Sequence, residues 1–260
     1  MNENLTIAQV ASQLSYFTKA HNIESLFLVG DFCWHLHLNQ LDKVKQLEVC
    51  SAFEEQTIIL GRLFGTEILH SDSDVDEELN TVTIPFGKSS IQFQGYSTKA
   101  YMHNAEMKNW MQENRIENLP IINNIYGRQF TLNSLAYSLF HEKIYDPTKF
   151  GVESISRKEI KSLLPPELLI KYDPESILEA MTLAVKYEFH FDSDLQNAIK
   201  EGSGALIKFV SSERIKQTII GILSIDAEKT LKIIEKCGLE NLLMSEEAKK
   251  YLGDYYEKNG

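Results

Sequence analysis

The chain has 260 residues, 43% hydrophobic and 24% charged, enough for one large packed core or two small ones. Its formal net charge of -11 excludes a general polyanion binder, so any nucleic-acid surface must be a local basic patch set against an acidic average. No apolar run reaches membrane-spanning length, the start (MNENLTIAQ) lacks a basic-then-apolar leader, and Cys33, Cys50 and Cys237 are too scattered for a disulfide framework. The expectation is a cytoplasmic protein with no membrane partner.

Thr6 followed by Gln9 opens a capping box, and Ile7, Val10, Leu14 and Phe17 repeat on one helical face. Residues 25–29 read as a buried strand, Gly30 breaks it, 32–38 turn into a short helix, and 45–50 return as a strand. A strand, glycine turn and helix in that order can hold phosphate at the helix N-terminus. Cys33, His35 and His37 crowd the short helix, but no second cluster completes a zinc set, so core packing is expected there. Ser51 and Glu54 repeat the capping-box pattern, and Phe53, Leu60, Leu63 and Phe64 line a helix that Gly65 ends.

Residues 66–69 read as a strand, and 81–85 with 90–96 as a hairpin across Phe86, Gly87 and Lys88. Between them Asp72, Asp74, Asp76, Glu77 and Glu78 form an acidic loop without the sixth-position glycine of a calcium loop, and it reads as solvated. From residue 101 the apolar spacing is helical almost throughout, over 130–140, 174–189, 194–201, 211–223 and 227–237, and a charged surface helix is expected over 245–258. The boundary falls near Asp146 and Pro147, giving a mixed α/β domain over 1–147 and a helical domain over 148–260.

Residues 26–48 (LFLVGDFCWHLHLNQLDKVKQLE) resemble the opening of the class II tRNA nucleotidyltransferase and bacterial poly(A) polymerase family. That family carries Val-Gly-Gly-x-Val-Arg-Asp and, further on, Asp-x-Asp. The resemblance implies an α+β fold: a nucleotidyltransferase-like head with a small mixed sheet, then an all-helical neck. In the family, two carboxylates at spacing two on one strand hold magnesium ions that activate a primer hydroxyl and neutralise the triphosphate. The matching positions here are Gln46 and Glu48, and the third acidic position falls on Gln92. An amide is a poor magnesium ligand. Gly30 is kept, but Asp31 replaces the second glycine, and Trp34 and His35 replace the Arg-Asp brace. An aspartate there suits a helix N-cap and repels phosphate by about 4 kcal/mol per close charge pair.

Residues 127–137 (GRQFTLNSLAY) resemble the family's Arg-Arg-Asp-Phe-Thr-x-Asn-Ala-Leu-Ala-Tyr, and Ile144, Asp146 and Pro147 follow where the family has Ile-Asp-Pro. Arg128, Phe130, Thr131 and Asn133 survive, while Gly127, Gln129 and the upstream Asn124 replace an arginine and two acids. Arg128 reads either as a remaining phosphate ligand or as a structural residue. Residues 172–180 (YDPESILEA) resemble Glu-Asp-Pro-x-Arg-x-Leu-Arg-Ala, whose Asp and first Arg read the incoming base in CCA-adding relatives. Asp173 remains, but Ser176 and Glu179 leave no fork-shaped donor, so Asp173 and Pro174 read as a helix start. Residues 210–215 (VSSERI) resemble the neck signature, with Glu213 and Arg214 as packing and salt-bridge residues. The resemblance covers 25–243 and implies head and neck without the domains that grip the tRNA elbow.

The framework is therefore present and its chemistry largely erased. The catalytic positions Gln46, Glu48 and Gln92 are not intact, and Gly30, Asp31, Trp34, His35, Arg128, Asn133, Asp173 and Ser176 form a vestigial nucleotide site. The expectation is a catalytically inactive homologue that binds RNA or a protein partner, with no metal, cofactor or DNA. The alternative is a weak magnesium-dependent nucleotidyltransferase using Glu48 with a second carboxylate such as Asp31 or Asp42.

Overall fold

The computed structural model describes residues 5–51, 56–95, 100–117 and 119–244, with Gly253. The chain divides into two compact units, Met1–Arg128 with Leu132–Glu153, and Gln129–Thr131 with Ser154–Gly260. Glu54 of the second capping box, Phe53 of the helix expected after it, Tyr96 at the hairpin's end and the expected 245–258 helix lie outside the described residues.

The first unit is built on a seven-stranded mixed sheet of β1 (Leu26–Val29), β2 (Gln46–Ser51), β3 (Asp74–Asp76), β4 (Thr81–Phe86), β5 (Ser89–Gln94), β6 (Ala136–Ser138) and β7 (Lys143–Tyr145). Their order is β3-β4-β5-β2-β1-β6-β7, and β2 with β5 is the parallel pair. Helix α1 (Ile7–Ala20) starts with the expected capping box: Gln9 N–H donates to Thr6 Oγ1 and Thr6 N–H to Gln9 Oε1. Helix α2 (Asp31–His37) leaves Gly30, and α3 (Thr57–Phe64) packs on the sheet so closely that a Cβ at Gly61 would lie 2.8 Å from Val82 Cβ. Phe64 meets Phe17 at 5.4 Å and Phe93 at 5.9 Å between ring centroids, and Leu28, Leu47, Val49 and Ile91 are fully buried. Helices α4 (Ala105–Glu113) and α5 (Pro120–Tyr126) follow, and Ile125 of α5 packs with Val29, Cys50 and Ala136.

Three expectations are corrected in this unit. Gly65 keeps right-handed helical angles, so residues 66–69 are no strand; they complete a π-helical turn (Gly65–Leu69) that His70 ends at φ 47°. Within the acidic 72–78 segment Asp74–Asp76 is a short edge strand rather than loop, because Val75 pairs with Val82, while all five acids are exposed, as a solvated segment has them. Residues 130–140 form no helix. A 3-10 turn (Thr131–Asn133) leads into β6, whose Ser138 and Ala136 pair with Phe27 and Val29. Long-range ladder formation along β1 outweighs the local apolar spacing there.

The second unit is helical as expected, apart from a short parallel ribbon of β8 (Glu159–Ile160) and β9 (His190–Phe191). Helix α6 (Gly151–Arg157) carries the chain into it, followed by α7 (Pro166–Tyr172), α8 (Ser176–Tyr187), α9 (Ser193–Phe209), α10 (Ser212–Ile225) and α11 (Ala227–Lys236). Asp192, Ser211 and Asp226 each accept a backbone N–H at the start of α9, α10 and α11. Gly202 lets α9 lie against α7, where a Cβ would come 2.4 Å from Ile170 Cγ2. Met181, Ile199, Ile219 and Ile222 form the buried interior. The chain thus has the α+β class expected, a mixed-sheet unit followed by a helical one. Among the described residues no helix is long and apolar enough to cross a membrane.

Candidate functional site

Strand alternation puts Gln46, Glu48 and Cys50 on the face of β2 opposite the buried Leu47 and Val49. The parallel register sets Glu48 beside Gln92 and Cys50 beside Gln94. The three expected catalytic positions therefore share one sheet face, but they are bonded as a polar network. Gln46 Nε2 donates to Gln92 Oε1 at 3.2 Å, and Gln94 Nε2 donates to Glu48 Oε2 at 3.3 Å.

Arg128 completes this network. Helix α5 ends at Tyr126, and the guanidinium just beyond it donates through Nη1 to Glu48 Oε2 at 3.1 Å and through Nε to Asn124 Oδ1 at 3.0 Å. Its Nη2 lies 3.9 Å from Cys50 Sγ. The two charged side chains are 14% and 33% exposed, so this pair is mostly withdrawn from water. Burial pulls the guanidinium's pKa down, but the charge and hydrogen bond of Glu48, with the nearby thiols, outweigh it and leave the pKa raised. Burial also pushes Cys50 up to about 11 and Cys33 up to about 12, against the opposing charge of Arg128. Both are neutral thiols at pH 7. Cys33 donates to the Leu28 carbonyl and belongs to the core.

Gly30 is required beside this pair. Its φ is 67°, and a Cβ would sit 3.1 Å from both Arg128 Nη1 and Glu48 Oε1. Gly30 itself is the N-cap residue of α2, with no side-chain cap, so Asp31 opens the first turn rather than capping it as expected. There a carboxylate favours the helix dipole, and Asp31 Oδ1 accepts from Trp34 Nε1 at 3.3 Å. Trp34 and His35 are fully buried and stack at 3.7 Å between centroids, so both are core residues of the first unit. Asp42 is exposed in a 3-10 turn (Leu41–Lys43), and Asn133 is half-buried in the turn before β6. Among the described residues, no three His, Cys, Asp or Glu side chains are grouped to hold a metal ion.

In the second unit, Asp173 Oδ2 accepts from Gln129 Nε2 at 2.9 Å. Asp173 is the C-cap of α7, and α8 starts at Ser176 with Glu175 as N-cap residue and no side-chain cap. The Asp-Pro pair therefore builds a turn between helices, not the helix start expected. Ser176 is buried at 2% exposure. Arg214 bonds Glu175 at 2.7 Å, the salt-bridge role expected of the 210–215 segment. The structure thus joins Gly30, Glu48 and Arg128, and Gln46 with Gln92, while Trp34, His35 and Ser176 are buried. Sequence reasoning did not single out Gln94 or the Asn124 contact, although Asn124 and Arg128 stand one helical turn apart. A cavity of about 490 Å³ near Met102, Met111 and Ile116 includes none of the expected residues.

Residues 27–161 match the poly(A) polymerase head domain family. The tRNA nucleotidyltransferase cca2 of Schizosaccharomyces pombe is 27% identical over 148 residues, which are 56% of this chain and 29% of that protein. The CC-adding tRNA nucleotidyltransferase of Synechocystis sp. is 29% identical over 100 residues, 38% of this chain and 23% of that protein. Among solved structures, the Thermotoga maritima CCA-adding enzyme complexed with tRNA aligns over 91% of this chain and 52% of its own, with TM-score 0.71 and 17% identity. A CCA-adding enzyme with CTP aligns with TM-score 0.68 and 18% identity over 91% of this chain and 51% of its own. These structural likenesses are of fold. The match spans less than a third of the curated relatives and about half of these solved chains.

Proposed function

The chain belongs to the poly(A) polymerase head domain family, and from that premise we propose that it is a member whose transfer centre has become a structural network and which acts by binding RNA. The first unit is then the head and the second the neck. One observation carries the reading: Glu48, the single carboxylate among the three catalytic positions, is held by Arg128 and Gln94, while Gln46 and Gln92 bond each other.

In-line nucleotidyl transfer needs clustered anionic oxygens to hold two divalent ions against a triphosphate. A guanidinium in salt bridge with the one carboxylate supplies positive charge where that chemistry needs negative charge. The residues present do not fit a magnesium pair, and no cofactor is assigned. The alternative that pairs Glu48 with Asp31 or Asp42 is weakened by their settings. Asp31 is engaged with Trp34, and Asp42 stands on an exposed turn. RNA is the favoured partner because the matched relatives are named for tRNA chemistry and one solved neighbour carries tRNA.

The test uses the full chain and a fluorescent tRNA transcript. Binding is expected in EDTA, with no extension of the RNA when magnesium and all four nucleoside triphosphates are added. Magnesium-dependent extension of the 3′ end would refute the reading.

A further inference from the structure

The first unit holds a hollow of about 490 Å³ between the 3-10 turn Ala100–His103, α4 and α5. That volume lies in the range of small-molecule sites and far exceeds a packing void. On its wall Met102 and Met111 are buried, Ile116 and Asn123 are half-buried, and His103, Lys108 and Gln112 are exposed. The floor is therefore apolar and the rim polar. Thioether side chains are unbranched and adaptable, so such a floor suits a flexible apolar body rather than one rigid shape. Among the described residues no aromatic ring lines it; Trp110 of α4 packs on Tyr126 instead, at 6.1 Å between ring centroids. A nucleobase would find no stacking partner in that wall.

The charge on the rim has one sign. Lys108 and Gln112 stand one turn apart on α4 with Met111 beside them, whereas Glu106 and Glu113 fall on the opposite side of the helix at about 100° per residue. Helix α5 has no charged residue, and the exposed Arg115 and Glu117 on either side of Ile116 cancel. The ion pairs described in the first unit, Lys19–Glu142, His21–Glu67 and Arg128–Glu48, do not engage Lys108. One ammonium above an apolar floor, with the amides of Gln112 and Asn123 on the same wall, suits an anionic head on an aliphatic tail. A methylene takes about 30 Å³, as a water does in the liquid, so a tail of about eight to ten carbons fits within the volume. We propose that this hollow binds a free medium-chain fatty acid, its tail against Met102, Met111 and Ile116 and its carboxylate at Lys108. The site shares no residue with the Arg128–Glu48 network and stands whether or not the chain binds RNA.

The experiment titrates octanoate into the full chain by calorimetry, with octanol as the neutral probe. Octanoate is expected to bind saturably at one site below about 1 mM. From hexanoate to octanoate the affinity should rise about fourfold per methylene. Lys108→Gln, a change at an exposed side chain, should weaken octanoate about fivefold and leave octanol unchanged. Lys88→Gln, at the exposed turn between β4 and β5, should alter neither. Ile116→Trp, which fills the hollow with a ring, should abolish saturable binding of both, with circular dichroism to confirm its fold. Should that variant fail to fold, Lys108→Gln and the chain-length series decide alone. No saturable heat from wild type with octanoate would overturn the proposal. So would wild-type octanoate affinity in Lys108→Gln, or equal weakening by Lys88→Gln, which would mark general attraction to a lysine rather than a site.

Discussion

Arg128→Met removes the guanidinium from the head network while keeping an unbranched side chain of similar reach. The lost contacts are the 3.1 Å bond to Glu48, the 3.0 Å bond to Asn124 and the softer approach to Cys50. Breaking a buried charge pair by deleting one partner costs about 3–5 kcal/mol. Glu48 is 33% exposed and regains some water, which places the expected loss nearer 2–3 kcal/mol. Both tryptophans, Trp34 and Trp110, lie in the first unit, so tryptophan fluorescence in a urea titration reports on that unit directly. A cycle with Glu48→Gln should show coupling of about 1–2 kcal/mol, because each variant removes the same contact. A loss under about 0.5 kcal/mol for Arg128→Met would refute the view that this face is a structural network.

Gly30→Ala forces a side chain into φ 67° and to 3.1 Å from the Arg128–Glu48 pair, and should lower stability by about 2 kcal/mol in the same titration. Ser176→Arg, which writes back the family's arginine, should destabilise the second unit by about 3 kcal/mol because the site is buried; a melt unchanged from wild type would contradict that burial. Alkaline pH should also destabilise the fold. The thiols of Cys33 and Cys50 are raised by burial from 9.0 to about 12 and about 11, so their stabilising share is whole below pH 9 and is lost as pH climbs through 11–12. The slope is on the order of 1 kcal/mol per thiol per pH unit above 9. Tyr126 and Tyr137 shift the same way, and Cys50→Ala should flatten the urea midpoint measured between pH 8 and 10.5.

Local signals were legible where local physics decides. The Thr6–Gln9 capping box, the break at Gly30 and the turn at Gly87 are each set within a few residues, and each stands as read. Residues 130–140 read as a helix because Phe130, Leu132, Leu135 and Leu139 have helix-like spacing, while β6 is held by pairing with β1, more than a hundred residues earlier, on one side and with β7 on the other. Gly65 reads as a helix stop, but nothing at its own position demands a left-handed angle; His70 takes that role instead. The site was half legible. The motif resemblance located Gln46, Glu48, Gln92 and Arg128, yet the Arg128–Glu48 bond joins residues 80 apart and no spacing rule reaches across that distance. Trp34 and His35 looked like substitutions in a phosphate brace. Buried and stacked, they are core residues, and an arginine and aspartate in their places would bring charges into the core.

The most direct measurement is calorimetry of ATP binding to the full wild-type chain, with magnesium and in EDTA, beside an RNA-extension assay on wild type and Glu48→Ala. A head whose catalytic face is tied up by Arg128 and three glutamines should give no saturable magnesium-dependent heat at submillimolar ATP and no extension from either protein. Micromolar magnesium-dependent binding, with extension by wild type that Glu48→Ala abolishes, would contradict the account.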